Sequence, residues 1–326
     1  MPKVSVIVPV YKAEAFIEAC ARSLFGQTLE DMEYIFVDDC SPDRSIEILK
    51  AVLRDYPNRE DQVRIKSLEK NAGVAKAREI GLSAITGEYF IYCDSDDYVD
   101  LDAYEKMYLT AVREQSDVVV CDVDWSYPEK NEIAVGVLRN NVSDFISDLI
   151  DYKVPIFLSN KLFSTNLIGD VTFSSYGFGE DFVMGVQLIY HAKKLSYIAK
   201  PYYHYRQNGD SITHDNSVES RIHKFMAMRH NLSILKRFFQ REKCDCYVDS
   251  IRRCAYYSKT NLLYNKVSSS CSAWCQWVVS FPGLTFHLKG LSIPVKERLF
   301  FYMAYIGFTP YSRLYKFLFA KKNAKN

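Results

Sequence analysis

The sequence predicts an α/β protein, a mostly parallel sheet followed by a helical C-terminal region. Three observations lead there. The first third alternates short apolar runs with amphipathic stretches, the pattern of successive β-α-β units. Polar and acidic residues collect just past the apolar runs, at Tyr11-Lys12, Asp38-Asp39 and Asp94 to Asp97. From Val218 to Lys266, apolar residues recur at three and four spacing, as at Phe225, Met228, Leu232 and Leu235, which predicts helix.

Taken in order, Val4 to Val10 is the first strand and Ala15 to Gln27 the helix after it. Tyr34 to Val37 is a second strand, running into Asp38-Asp39, and Ser41-Pro42-Asp43 turns the chain into a helix from Ser45 to Tyr56. Val63 to Leu68 is a third strand, Gly73 to Thr86 a helix, and Tyr89 to Cys93 the next strand. Ser116 to Val123 is rich enough in Val to be buried on both faces. Between about Asn140 and His214 the pattern loosens into helices and short extended pieces, with Glu180-Asp181 following Gly177 and Gly179.

Composition narrows the function classes. A chain of 326 residues with net charge +1 has ample length for a core and gives no electrostatic reason to bind nucleic acid. Nine scattered cysteines, an odd number, suit reduced thiols of a cytosolic protein, and Cys244/Cys246 and Cys271/Cys275 lack zinc-site spacing. Lys3 to Val8 reads as strand, without the leader, apolar stretch and cleavage site of a signal peptide. Residues 289–326 mix Leu, Phe and Tyr with Lys289, Lys296, Arg298, Arg313, Lys316, Lys321 and Lys322. That tail reads equally as an interfacial helix on anionic lipid and as a helix docked on the protein's own core.

The strand Tyr89-Phe90-Ile91-Tyr92-Cys93 ends in Asp94-Ser95-Asp96-Asp97. Like charges packed at a strand end need a cation or open water, and hard oxygens there suit Mg²⁺ or Mn²⁺ sharing phosphate ligands. Ligands of open α/β sheets bind beyond the carboxyl ends of the strands, so these carboxylates and Asp38-Asp39 converge on one edge.

Val4-Ser5-Val6-Ile7-Val8-Pro9-Val10-Tyr11, Val37-Asp38-Asp39-Cys40-Ser41-Pro42-Asp43, Asn71-Ala72-Gly73-Val74-Ala75-Lys76-Ala77-Arg78 and Asp94-Ser95-Asp96-Asp97 together resemble family 2 glycosyltransferases of the GT-A fold. The four motifs keep the family's order over about the first hundred residues, and Glu180-Asp181 extends the match. The resemblance implies a GT-A domain over 1–215, with a nucleotide-binding half (1–123) and an acceptor half (124–215), then a helical region over 216–326. It implies that Asp39, or alternatively Asp38, accepts uracil N3–H, with Pro9 and Tyr11 bordering the uridine. Asn71 and Gly73 form the turn before a helix whose Arg78 holds the nucleotide side of the site. Asp97 binds the Mn²⁺ or Mg²⁺, Asp96 the ribose or the metal, and Asp94 supports both. Asp181, with Glu180 as alternative, is the base of an inverting transfer. Lys161 stands near the acceptor, Arg206 clamps phosphate, and His214 completes the metal shell.

The expected reaction moves a sugar from a nucleotide diphosphate donor, UDP-linked, to a hydroxyl of a glycan or polyprenyl-linked acceptor in surface-polysaccharide synthesis. Peripheral membrane contact through 289–326, at the inner face of the cytoplasmic membrane, and a homodimer are further expectations. A sugar nucleotidyltransferase would need a Gly-rich loop where Pro9-Val10-Tyr11-Lys12-Ala13 stands, and a dinucleotide-dependent oxidoreductase fails on the same residues. An inactive assembly subunit is the non-enzymatic alternative.

Overall fold

Strand β1 (Val4–Val10) is buried at all seven positions in a computed structural model that describes residues 1–126, 131–134, 141–206 and 217–264. Helix α1 (Ile17–Phe25), β2 (Met32–Asp38), α2 (Ser45–Arg54), β3 (Val63–Ser67), α3 (Val74–Leu82) and β4 (Tyr89–Tyr92) follow as β-α repeats. The order β3-β2-β1-β4 is parallel throughout, so β1, β2 and β4 all end at one edge. Period-two alternation divides the burial. Tyr34 and Phe36 join the core made with α1 and α2, while Ile35 and Val37 pack on Ala77 of α3.

Past β4 come β5 (Tyr98–Val99), α4 (Ala103–Glu114), β6 (Val118–Ser126), β7 (Asn131–Ala134), α5 (Val142–Ile150), β8 (Lys161–Ser164), α6 (Glu180–Tyr190) and β9 (Leu195–Arg206). They continue the sheet as β4-β8-β6-β9-β5, with β7 beside β6. Strand β8 is antiparallel to β4 and β6, whereas β9 runs parallel to β6. The carboxyl ends of β6 and β9 and the start of β8 therefore reach the same edge as the end of β4.

Several elements are shorter than their sequence pattern. Helix α2 stops at Arg54 because Tyr56 precedes Pro57, and a residue before proline is driven out of the α region. Helix α3 stops at Leu82 because Gly87 N–H donates to Ser5 Oγ at 2.9 Å and Thr86 N–H to Glu33, turning the chain into β4. The last expected strand is shifted rather than shortened, starting at Val118 and running on to Ser126.

Contacts divide the chain into two units, Met1–Gly209 and Asp210–Asn326. In the second, the expected helical stretch is two helices, α7 (Val218–Arg241) and α8 (Val248–Tyr264), parted near Lys243 at φ 54°. Phe225, Met228, Leu232 and Leu235 are buried, as their spacing predicts. Among the described residues no helix is long and apolar enough to cross a membrane, and residues 289–326 lie outside them.

Candidate active site

The site is built where β1, β2 and β4 end. Pro9 is buried in β1, and Tyr11 just beyond it is 43% exposed. The loop after Tyr11 is fastened to the turn after β2. Ser41 Oγ accepts Lys12 N–H at 2.8 Å, Ser45 Oγ accepts Ala13 N–H at 2.9 Å, and Asp43 accepts Glu14 N–H at 3.0 Å. Ser41 and Ser45 hydroxyls also donate to Asp43, each at 2.6 Å. Burial raises the Asp43 pKa, but these hydrogen bonds prevail and bring it to about 2.

Asp39 is 2% exposed and accepts Ala72 N–H at 2.6 Å and Gly73 N–H at 2.8 Å, one on each oxygen. Asn71 Nδ2 donates to the Asp39 carbonyl at 3.4 Å. Gly73 begins α3 with φ 87° and ψ 158°, a conformation that L side chains avoid. A Cβ there would meet nothing within 4 Å, so backbone conformation alone selects glycine.

Arg78 lies inside the site, at the end of β4 and the start of α6. Its side chain is 5% exposed. Nη2 donates to Asp94 Oδ1 at 2.6 Å, and Nη1 donates to Glu180 Oε1 at 2.5 Å and to Asp181 Oδ1. One guanidinium thus joins the end of β4 to the first turn of α6. Both Nη groups of Arg78 face carboxylates, while its buried Nε has no hydrogen-bond partner among the described residues. Gly179, at φ 71°, turns the chain so that Glu180 and Asp181 open α6, 12% and 15% exposed.

The three β4 carboxylates have unequal surroundings. Asp94 is 26% exposed and bound to Arg78. Asp96 is half-buried. Asp97, expected to hold the metal, is 1% exposed; it accepts the Tyr203 hydroxyl on Oδ2 and Arg206 N–H on Oδ1 at 2.8 Å. Burial, then the charges of Asp96 and Asp94, push its carboxyl well above the usual range. A carboxyl so enclosed braces β9 against the acidic turn, and Asp96 becomes the more open oxygen donor. Tyr203, which also accepts Asp94 N–H at 3.3 Å, was given no role of its own by the sequence, which singled out only Arg206 in this segment.

No group of three or more His, Cys, Asp or Glu side chains forms a ready-made metal cage among the described residues. Mg²⁺ and Mn²⁺ need none, since one or two carboxylates plus phosphate oxygens and water suffice, and Asp96 beside Asp94 fits that demand. His214 lies outside the described residues. The Arg206 guanidinium stands 5.2 Å from the Tyr98 ring centre and 5.5 Å from that of Phe16.

Lys161 is buried at the start of β8. It is 1% exposed, and its Nζ donates to the carbonyls of Pro155 at 2.8 Å and Phe157 at 2.6 Å and to Asn160 Oδ1 at 2.7 Å. Burial lowers its pKa to about 7. It fixes the loop before β8.

The sequence of residues 5–164 matches the family described as Glycosyl transferase family 2. The chain is 31% identical over 226 residues to the uncharacterized glycosyltransferase EpsJ of Bacillus subtilis, covering 65% of this chain and 63% of that protein. It is 32% identical over 211 residues to the poly(ribitol-phosphate) beta-glucosyltransferase of Bacillus spizizenii, covering 62% of this chain and 32% of the other. The match thus spans less than two thirds of either relative's length. The crystal structure of S. aureus TarS 1-349 in complex with UDP-GlcNAc shares the fold, with a TM-score of 0.70 at 20% identity over 98% of this chain and 92% of that one. The sheet order, the acidic end of β4 and the sequence match agree: this is a GT-A fold, and its residues 5–164 match the family 2 glycosyltransferases.

Proposed function

We propose that the protein transfers a sugar, with inversion, from a UDP-linked donor to a hydroxyl of a glycan or lipid-linked acceptor in cell-surface polysaccharide synthesis. The observation that carries this is the Arg78 junction. It draws the acidic end of β4 and the acidic start of α6 into one site, joining a donor-side cluster to a base. The names of the poly(ribitol-phosphate) glucosyltransferase relative and of the TarS complex with UDP-GlcNAc support a polymer acceptor and a UDP donor.

In this reading Pro9 and Tyr11 border the uridine. Asp39 accepts uracil N3–H with lone pairs left over from Ala72 and Gly73, since each carboxylate oxygen accepts more than one donor. Asp94 contacts the ribose, Asp96 holds Mn²⁺ or Mg²⁺, and Arg206 faces the phosphates. The metal, when bound, offsets charge on the departing diphosphate. Asp181 Oδ1 is committed to Arg78, so Oδ2 takes the proton of the acceptor hydroxyl as that oxygen attacks the anomeric carbon opposite the leaving group. Glu180, on the same guanidinium nitrogen, steadies Asp181.

Calorimetric titration of UDP with and without Mn²⁺ tests the donor half, and metal-independent or absent UDP binding would sink it. Release of UDP from a panel of UDP-, GDP- and dTDP-sugars then identifies the donor. Asp181→Asn should keep UDP affinity and lose transfer, and retained transfer would move the base to Glu180.

A further inference from the structure

Three aromatic rings that this catalytic scheme does not use meet at the same sheet edge. Trp125 lies near the end of β6, Tyr205 near the end of β9, and Phe157 in the loop before β8. Phe157 and Tyr205 are stacked, with ring centres 5.4 Å apart and planes 22° apart. Trp125 sits 5.9 Å from Phe157 and 5.6 Å from Tyr205. All three are half-buried, so each keeps part of its ring on the surface.

The cluster is held in place from below. Trp125 and Tyr205 are register partners of parallel strands. Phe157 is pinned through its carbonyl by Lys161 Nζ, and Asn160 Nδ2 ties the same loop to the Cys121 carbonyl of β6 at 2.6 Å. A lysine desolvated to hold one loop is an expensive device for an ordinary surface. Trp125 Nε1 is a buried donor without a hydrogen-bond partner among the described residues, and such orphans are rare in native proteins. Next along β9, Arg206 N–H bonds Asp97, so the strand that carries Tyr205 passes beside the acidic turn. They stand on its β6-β9 side, while Asp39 and Tyr11 stand on its β1-β2 side.

We propose that Trp125, Phe157 and Tyr205 form an acceptor subsite that stacks a pyranose ring of the acceptor. The inference rests on the glycosyl-transfer reading above. A pyranose presents a flat face of axial C–H groups to rigid aromatic surfaces. An acyclic polyol phosphate has no such face.

The test uses the full chain with UDP and Mn²⁺, and saturation-transfer NMR on three soluble pyranose probes, cellotriose, chitotriose and maltotriose, with ribitol 5-phosphate as the acyclic control. Trp125→Leu and Phe157→Leu keep apolar volume while removing the stacking face, and Trp125→Phe restores part of it. At least one trisaccharide should bind the wild type, lose affinity about 10-fold in the Leu variants and recover partly in Trp125→Phe, with UDP affinity unchanged. Trisaccharide binding that is absent, or indifferent to these rings, overturns the subsite. So does a matching loss of UDP affinity, which would place the rings on the donor or in the scaffold. Should the wild type bind no UDP, the transferase reading falls first and the subsite with it.

Discussion

Asp94, Asp96 and Asp97 lie within four residues, yet burial separates their chemistry. Asp96→Asn should remove the Mn²⁺-dependent part of UDP affinity while leaving the melting temperature within a degree or two, since the group is only half-buried. Asp97→Ala should do the reverse: it orphans the Tyr203 hydroxyl and Arg206 N–H and should cost about 1–3 kcal/mol in a urea titration. Equal stability losses in the two variants would refute this division. Asp43 gives a pH signature. Its folded pKa of about 2 lies below the ordinary 3.8, so its contribution is complete above 3.8 and is lost as pH falls toward 2. Asp43→Asn should therefore flatten the acid limb of the stability profile.

At the scale of elements, α3 shows two glycines acting by different physics. Gly73→Ala places a side chain at φ 87° in open space, so its cost is backbone strain of about 1–3 kcal/mol, felt in the loop that Asp39 holds. Gly81 faces β1, and a Cβ there would lie 2.2 Å from Ile7 Cγ2. Gly81→Ala should cost about 1–3 kcal/mol by overpacking, and combined with Ile7→Ala, which removes the Cγ2 it meets, the two losses should be less than additive. Denaturant midpoints of the single and double variants check both statements, and additive losses would remove the proposed clash.

At the scale of the whole molecule, two buried cations join pieces distant in sequence. Arg78 serves Asp94, Glu180 and Asp181. Arg78→Met leaves those acids without their buried counter-ion and should cost about 3–5 kcal/mol, with loss of transfer. Lys161 ties the loop before β8 to the sheet. Its pKa falls from 10.5 to about 7 on burial, so between those values the unfolded chain binds more protons than the folded one. Stability should therefore rise with pH across that interval, by about 1–2 kcal/mol between roughly pH 6 and pH 8.5. Lys161→Met should abolish that rise, which denaturant titrations at the two pH values would show.

The sequence alone determined much of the local pattern: the first β-α repeats through β4 and the strand β6, the Gly73 turn into α3, and the acidic groups past the strands, while β5, β7, β8 and β9 were not read from it. The former are legible because side-chain period, glycine conformation and strand-end polarity are properties of neighbours in the chain. Arg78 shows the limit, since nothing within its helix tells that its partners lie at 94, 180 and 181. Burial likewise separates Asp96 from Asp97, and it makes Lys161 a clamp on the loop before β8. Only the tertiary structure decides such roles, because the charge, access and hydrogen bonds of an ionisable group depend on what the sheet brings around it.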